Sequence, residues 1–183
     1  MASGRTRTSP PDRWPLADAD WCLRANRAAD RRPIRRCLAL ASRLGDGVFW
    51  YLLMAGLVLA DGWQGLTASS QLAATGAVAL GLYKGIKRCT RRPRPFAADR
   101  RIRAWVAPLD EFSFPSGHTL HAVAFTTVAV AWYPALAWLL LPFTAAVAAS
   151  RVVLGLHYPS DVIAATAIGS ALGALSLWIH APA

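Results

Sequence analysis

Apolar residues in this chain fall into long, nearly uncharged runs, and the polar residues collect between them. The runs cover 48–60, 66–86, 119–149 and 162–179, with neither the strict alternation of a half-buried strand nor the one-sided stripe of a soluble helix. A helix that crosses a bilayer needs about 20 mostly apolar residues. The 48–60 run is too short, so its span is expected to begin near Leu38 and to tolerate Arg43 and Asp46 close to one end. The 66–86 run is long enough, although Thr67, Ser69, Ser70 and Gln71 make its first turn polar. The 119–149 run is too long for one helix and is interrupted at Tyr133-Pro134. Proline lacks the amide donor and pushes its predecessor away from helical angles, so two helices meeting in a tight turn are expected there. The pattern predicts an all-α integral membrane helical bundle of about five transmembrane helices plus an N-terminal amphipathic helix. Small residues recur every fourth position at Ala73, Ala77, Gly81 and Gly85, and again at Ala165, Gly169 and Gly173. Such ladders either let helix backbones approach where lipid offers no hydrophobic drive for association, or arise by chance in alanine-rich helices.

Composition agrees and adds a charge asymmetry. The 183 residues are 55% hydrophobic, too apolar for a disordered polycation, yet the formal net charge is +10. Ten arginines lie between Arg5 and Arg43, nine more basic residues lie between Lys84 and Arg103, and the last is Arg151. The stretches 44–83, 104–150 and 152–183 contain none, so the charge gaps coincide with the apolar runs, as in a multi-span membrane protein. Cys22, Cys37 and Cys89 are odd in number and widely spaced, which signals neither a disulfide framework nor a zinc site. Residues 1–15, with three prolines, are expected to be unstructured, and no signal peptide is visible. Residues 16–36 mix Leu16, Trp21, Leu23 and Ile34 with six arginines, which suits either an interfacial helix or a solvated basic tail. The chain divides on this basis into a basic N-terminal tail and interfacial helix over 1–36 and a membrane-embedded domain over 37–183.

Three polar islands stand at the ends of the apolar helices: Lys87 to Pro95, Phe114 to His118, and Ser150 to Asp161. Charged groups in such a protein are costly and mark function. Counting spans puts all three islands on one membrane face. Lys87, Arg94 and Arg151 supply cations for a dianionic oxygen cluster, and arginine's planar fork matches phosphate oxygens. Pro115-Ser116-Gly117 opens a helix whose free amides favour an anion. Gly117 permits close backbone approach, and the Ser116 hydroxyl can add a donor. His157 and Asp161 lie four apart across Pro159. Proline at the first helical position places Asp161 in the first turn, able to reach back to His157 and set its tautomer. His118 can then protonate a leaving oxygen.

These segments, Lys87-x6-Arg94-Pro95, Pro115-Ser116-Gly117-His118 and Ser150-Arg151-x5-His157-x3-Asp161, resemble the tripartite signature of the type 2 phosphatidic acid phosphatase superfamily. The resemblance covers roughly 84–170, about half of the chain. It implies a membrane lipid phosphatase without metal or other cofactor, acting on a phosphomonoester or pyrophosphate of a phospholipid or polyprenyl lipid. By it, His157 is the nucleophile forming a phosphohistidine, with Asp161 its partner and His118 the general acid. Lys87, Arg94, Ser116, Gly117 and Arg151 hold the phosphoryl oxygens. Members with a full membrane core commonly have six spans, and Ala165 stands where a glycine is usual.

His121, one turn past His118, is expected to make a structural contact, and His180 to sit at an interface. Arg88, Arg91, Arg92, Arg100, Arg101 and Arg103 lie outside the signature and are expected to bind headgroups or set topology. Asp110 and Glu111 either shape specificity or cap a loop. Trp105, Phe112 and Phe114 suit either a wall for a lipid tail or an ordinary aromatic belt. Two other classes compete. Vanadium haloperoxidases share the signature but are generally much larger soluble chains. A non-enzymatic polybasic protein bound to membrane or nucleic acid leaves His118, His157 and Asp161 without a role, so the expected partners are a lipid phosphate and membrane lipids, not nucleic acid. The positive-inside rule puts the site on the cytoplasmic side of a bacterial-type inner membrane. That side favours an inner-leaflet lipid phosphate, whereas an outer site favours undecaprenyl pyrophosphate in cell-wall lipid-carrier recycling.

Overall fold

The computed structural model describes residues 16–182, so the expected unstructured stretch 1–15 lies outside the described residues. In chain order the helices are α1 (Leu16–Asn26), α2 (Arg32–Leu44), α3 (Val48–Thr90), α4 (Pro95–Ala98), α5 (Gly117–Trp132), α6 (Ala137–Val153) and α7 (Pro159–Ile179). Short 3-10 turns occupy Arg27–Asp30 and Pro134–Leu136, and there is no strand among the described residues. The turn expected at Tyr133-Pro134 is present, and Pro159 opens α7 as its first residue.

α3 is not one rod. Asp61 and Gly62 leave helical angles, with Gly62 at φ 50°, and the chain doubles back. The arms 48–60 and 63–90 then lie side by side. A Cβ on Gly65 would come within 2.0 Å of the Leu57 carbonyl oxygen, and the Ser69 hydroxyl donates to the Met54 carbonyl at 2.9 Å. The span expected from Leu38 through Ala60 is broken. Gly45, Asp46 and Gly47 separate α2 from α3, Gly47 takes φ 131°, and the two helices are bent by 55°. Two helical stretches, Pro134–Val153 and Pro159–Ile179, are long and apolar enough to cross a bilayer, and the bent pair that α2 opens is a third. α5 has only 16 residues, below the usual length of about 17–25 for a full crossing. The chain is an integral membrane protein. Leu59, Trp63, Trp138 and Trp178 are each more than 80% exposed, the reverse of a soluble surface.

α5 is the central element, in contact with α3, α6 and α7. Its partnership with α7 depends on the second small-residue ladder. Ala165 is fully buried. A Cβ on Gly169 would lie 2.7 Å from the Leu120 carbonyl oxygen, and one on Gly173 2.7 Å from Thr127 Cβ. The first ladder does not make a helix contact, because Ala73 and Ala77 are exposed and Gly81 and Gly85 face open space. The packed face of that arm runs instead through Ala68, Leu72, Gly76 and Ala79, with Gly76 against the Phe125 ring.

The N-terminal helix is docked onto protein. Cys22 is buried in a cluster with Ile102 and Tyr158. The Asn26 amide donates to the carbonyls of Arg103 and Val153, each at 3.0 Å, and its oxygen accepts from the Arg103 amide at 2.9 Å. The division expected at residue 36 falls inside α2.

Candidate active site

Three chain reversals bring the polar islands to one end of the bundle. α3 returns there carrying Lys87, α5 begins there at Gly117, and α6 and α7 meet there through the 154–158 turn. One cavity of about 910 Å³ is lined by Lys87, Arg94, Gly117, His118, Arg151 and His157.

His157 is placed by the end of α6. The Arg151 carbonyl accepts the amides of Leu156 and His157, both at 3.0 Å, so the turn folds back over its own helix. Gly155 makes this possible at φ 77°, with its Cα hydrogen facing the Arg103 carbonyl where a Cβ would lie 2.3 Å away. The imidazole is buried. Nε2 is 3.3 Å from Nη1 of Arg94, and Nδ1 is 3.5 Å from Oδ2 of Asp161. The approach expected from the four-residue spacing therefore occurs, but as a close contact and not as a formed hydrogen bond. Burial, and then the positive charges of Arg151, Arg94 and Lys87, hold His157 well below the ordinary histidine range. A ring in that setting stays neutral with a lone pair available.

The cations are held by oxygen partners. Arg94 donates from Nη1 to the Leu156 carbonyl at 2.8 Å and from Nε to the Asp110 carbonyl at 2.9 Å. Lys87 donates to the Phe112 carbonyl at 2.8 Å. Both also bind the Asp110 carboxylate, Lys87 at 2.7 and 2.9 Å and Arg94 at 2.7 Å. Burial pushes the Asp110 carboxyl up, but the hydrogen bond and charge of Lys87, with those of Arg94, outweigh it and hold the group below the usual carboxylate range. Asp110, undecided between loop and specificity roles on sequence grounds, is thus bound to two cations of the pocket. Arg151 is buried and donates to the Ser42 hydroxyl of α2.

At the start of α5, Ser116 is the N-cap. Its hydroxyl pairs with the Thr119 hydroxyl at 3.0 Å and accepts the Thr119 amide at 3.4 Å. It is fully buried behind Gly117, and the cavity wall at this point is Gly117, with the Tyr83 ring packed where a side chain would stand. His118 follows in the first turn, with its side chain mostly buried. Its Nε2 is 3.4 Å from Oδ1 of Asp46, in the turn that breaks α2 from α3. Asp46 was legible only as a charge tolerated near a helix end, because its partner lies 72 positions away. His121 bridges the Gly117 and Gly76 carbonyls at 3.0 and 3.1 Å, the structural contact expected of it.

Asp161 lies behind His157, away from the cavity. Its Oδ2 accepts the Tyr158 amide at 2.9 Å, and its Oδ1 accepts from Arg92 at 2.6 Å. Arg92, expected among headgroup-binding residues, is 1% exposed. A guanidinium is removed from water this completely only when carboxylates surround it, and two do so here.

The apolar wall of the cavity comes from Trp50, Tyr51, Met54, Leu80 and Phe125, between the two arms of α3 and α5. Of the aromatic residues suggested by sequence, Phe112 lines it, whereas Trp105 sits beneath the guanidinium of Arg35 at 4.5 Å.

Fold and site define a helical membrane protein with a cationic, histidine-bearing pocket at one end of its bundle. The chain belongs to the PAP2 superfamily, whose family model matches residues 68–183. It is 38% identical over 77 residues to phosphatidylglycerophosphatase B of Escherichia coli, covering 37% of this chain and 29% of that protein. It is 36% identical over 121 residues to decaprenylphosphoryl-5-phosphoribose phosphatase of Mycolicibacterium smegmatis, covering 62% of this chain and 61% of that protein. The matches thus span less than two thirds of either relative. In fold it is similar to a PAP2-type phosphatidylglycerolphosphate phosphatase of Bacillus subtilis, with a TM-score of 0.71 at 23% identity over 89% of this chain and 84% of that one. It is also similar to LpxE of Aquifex aeolicus, with a TM-score of 0.75 at 24% identity over 87% and 93% of the two chains.

Proposed function

We propose that this protein is a metal-independent lipid phosphatase that hydrolyses a phosphomonoester through a phosphohistidine intermediate. The observation that carries this reading is the single cavity in which His157, His118, Lys87, Arg94 and Arg151 meet. The phosphoryl oxygens sit among Lys87, Arg94, Arg151 and the Gly117 end of α5, with Ser116 holding that helix start in place. His157 attacks phosphorus in line through Nε2, the P–O bond to the lipid breaks, and His118 gives its proton to the departing oxygen. Asp161 holds the Nδ1 proton and offsets the positive charge that builds on the ring. His118 then takes a proton from water, which attacks the phosphohistidine, releasing inorganic phosphate and restoring both histidines.

A lipid substrate is supported by the continuity of the pocket with the wall formed by Trp50, Tyr51, Met54 and Leu80, where an acyl or prenyl chain lies. A monophosphate is favoured over a pyrophosphate by the printed names of the two relatives, one a phosphatidylglycerophosphatase and the other a decaprenylphosphoryl-5-phosphoribose phosphatase. The cytoplasmic side of a bacterial inner membrane is favoured by the arginines of α1 and α2, which flank the site end, whereas the Asp61–Gly62 reversal carries no Lys or Arg.

The test is phosphate release by the purified chain in detergent from phosphatidate, phosphatidylglycerophosphate, a polyprenyl phosphate and a polyprenyl pyrophosphate, with and without chelator. His157→Asn and His118→Asn are expected to abolish turnover, and chelator to leave it unchanged. Undiminished turnover by His157→Asn sinks the mechanism, and a preference for the pyrophosphate sinks the substrate class.

A further inference from the structure

The environment of Arg92 links the N-terminal helix to the nucleophile. Arg92 lies in the connection between α3 and α4. Its Nη1 donates to Oδ1 of Asp161 at 2.6 Å and to the Ser160 hydroxyl at 2.7 Å, while Nη2 donates to Oδ2 of Asp18 at 2.6 Å. The guanidinium carbon stands 4.0 Å over the Tyr158 ring. Asp18, on α1, also accepts from the Ser160 amide at 3.1 Å and from the Ser160 hydroxyl. Asp18, Arg92 and Asp161 are all buried. One guanidinium therefore fixes α1, the start of α7 and the carboxylate behind His157 in a single arrangement.

The two oxygens of Asp161 divide the work. Oδ1 is held by Arg92, which leaves Oδ2 turned toward the Tyr158 amide and Nδ1 of His157. Two carboxylates against one guanidinium give this layer a net negative charge behind the ring, while Lys87, Arg94 and Arg151 face it from the cavity. A ring placed between an anionic back and a cationic front keeps its proton on Nδ1 and presents the Nε2 lone pair forward. Without the guanidinium, the Asp161 carboxylate loses its charged partner at Oδ1 and keeps only the Ser113 side chain and the Tyr158 amide, which loosens its orientation toward His157.

We propose that Arg92 is a positioning residue for His157, acting through Asp161, and that Asp18 makes the N-terminal helix part of the same assembly. This rests on His157 being the nucleophile. It assigns a role to a variable position within the first signature segment and to a helix outside the stretch matched by the family model.

The experiment uses the full chain in detergent, with short-chain phosphatidate as substrate and released phosphate as the signal, beside nitrogen NMR of the His157 ring. Arg92→Gln is expected to lower kcat about tenfold to a hundredfold, the usual cost of losing an outer hydrogen-bond partner, while KM stays within about twofold. Arg92→Lys recovers a large part of kcat by keeping the charge. Asp18→Asn lowers kcat less than Arg92→Gln does, and the double substitution is no worse than Arg92→Gln alone, because both act through one carboxylate. The ring signal shows the proton on Nδ1 in the parent and a mixture of tautomers in Arg92→Gln, whether or not phosphatidate is turned over. A parent-like kcat and a parent-like ring signal in Arg92→Gln overturn the proposal, as does a loss of kcat matched by the same loss in KM. Should Arg92→Gln not fold, Arg92→Lys and Asp18→Asn decide: an unchanged kcat and ring signal in Asp18→Asn overturn the role given to α1. A His157→Asn variant that still turns over defeats the phosphohistidine reading itself, whereas an inactive His157→Asn beside a parent-like Arg92→Gln defeats this proposal alone.

Discussion

Oδ1 of Asp110 lies 2.7 Å from Nζ of Lys87 and 2.7 Å from Nη2 of Arg94, so a carboxylate of the protein bridges two cations proposed to bind phosphate. An incoming phosphate dianion must share those cations with Asp110 or displace it. Asp110→Asn removes the competing charge without much change in shape. It is expected to lower the inhibition constant of inorganic phosphate or orthovanadate severalfold, about 1 kcal/mol in oxyanion affinity. Inhibition titrations of parent and variant check this, and weaker inhibition of the variant would show instead that Asp110 is needed to order Lys87.

Asp110 also carries a pH signature. Its folded carboxyl is held below the ordinary value of 3.8, so its contribution to stability is present above that value and is lost as the pH falls toward the folded one. The melting-temperature difference between the parent and Asp110→Asn is expected to be largest near neutrality and to shrink below pH about 4.

His157 predicts a pH effect in a higher window. Its folded value lies well below 6.5, so the unfolded chain binds the proton more readily than the folded one. Stability is therefore full above 6.5 and falls as the pH drops below it toward the folded value. Thermal melting between pH about 7 and 5 should show a smaller acid-side loss in His157→Asn than in the parent. Equal losses in the two proteins would mean that this ring is not kept neutral by its surroundings.

Gly155 tests how the turn delivers the nucleophile. With φ at 77° and the Arg103 carbonyl 2.3 Å from the position of a Cβ, Gly155→Ala forces the turn to shift. A loss of about 1–3 kcal/mol in stability is expected, with a drop in kcat larger than the melting shift alone explains, because His157 is two residues on. Melting and turnover measured on one preparation separate the two effects.

The glycines on the two ladders should behave oppositely. Gly169→Leu drives a side chain into the Leu120 carbonyl and Val123 of α5, so it should lower the melting temperature and the yield of folded protein. Gly81→Leu points into open space and should leave both unchanged. Equal damage at the two positions would contradict the packing of α7 on α5.

Each of these residues was visible in the sequence, but not its partner. The second ladder, the break at Tyr133-Pro134 and the His157–Asp161 spacing are local, and the structure follows them. The first ladder has the same spacing and makes no helix contact, because spacing alone does not say which face of a helix meets a neighbour. The first expected span is bent by 55° at Gly45 to Gly47, where hydropathy averaged along a window cannot register a change in chain direction.

Hydropathy and helix-breaking residues act through neighbours a few positions apart, and so the chain's own order of residues was enough to specify an all-helical membrane protein and the three polar segments at its helix ends. Tertiary structure alone decided that Arg92 is buried between Asp161 and Asp18, 69 and 74 positions away, that Asp46 meets His118, and that α1 docks beneath the His157 turn. An arginine reads the same in sequence whether it faces water or two carboxylates. Only the folded chain sets the distance between opposite charges, and at these separations in sequence that distance governs whether a charge can be buried.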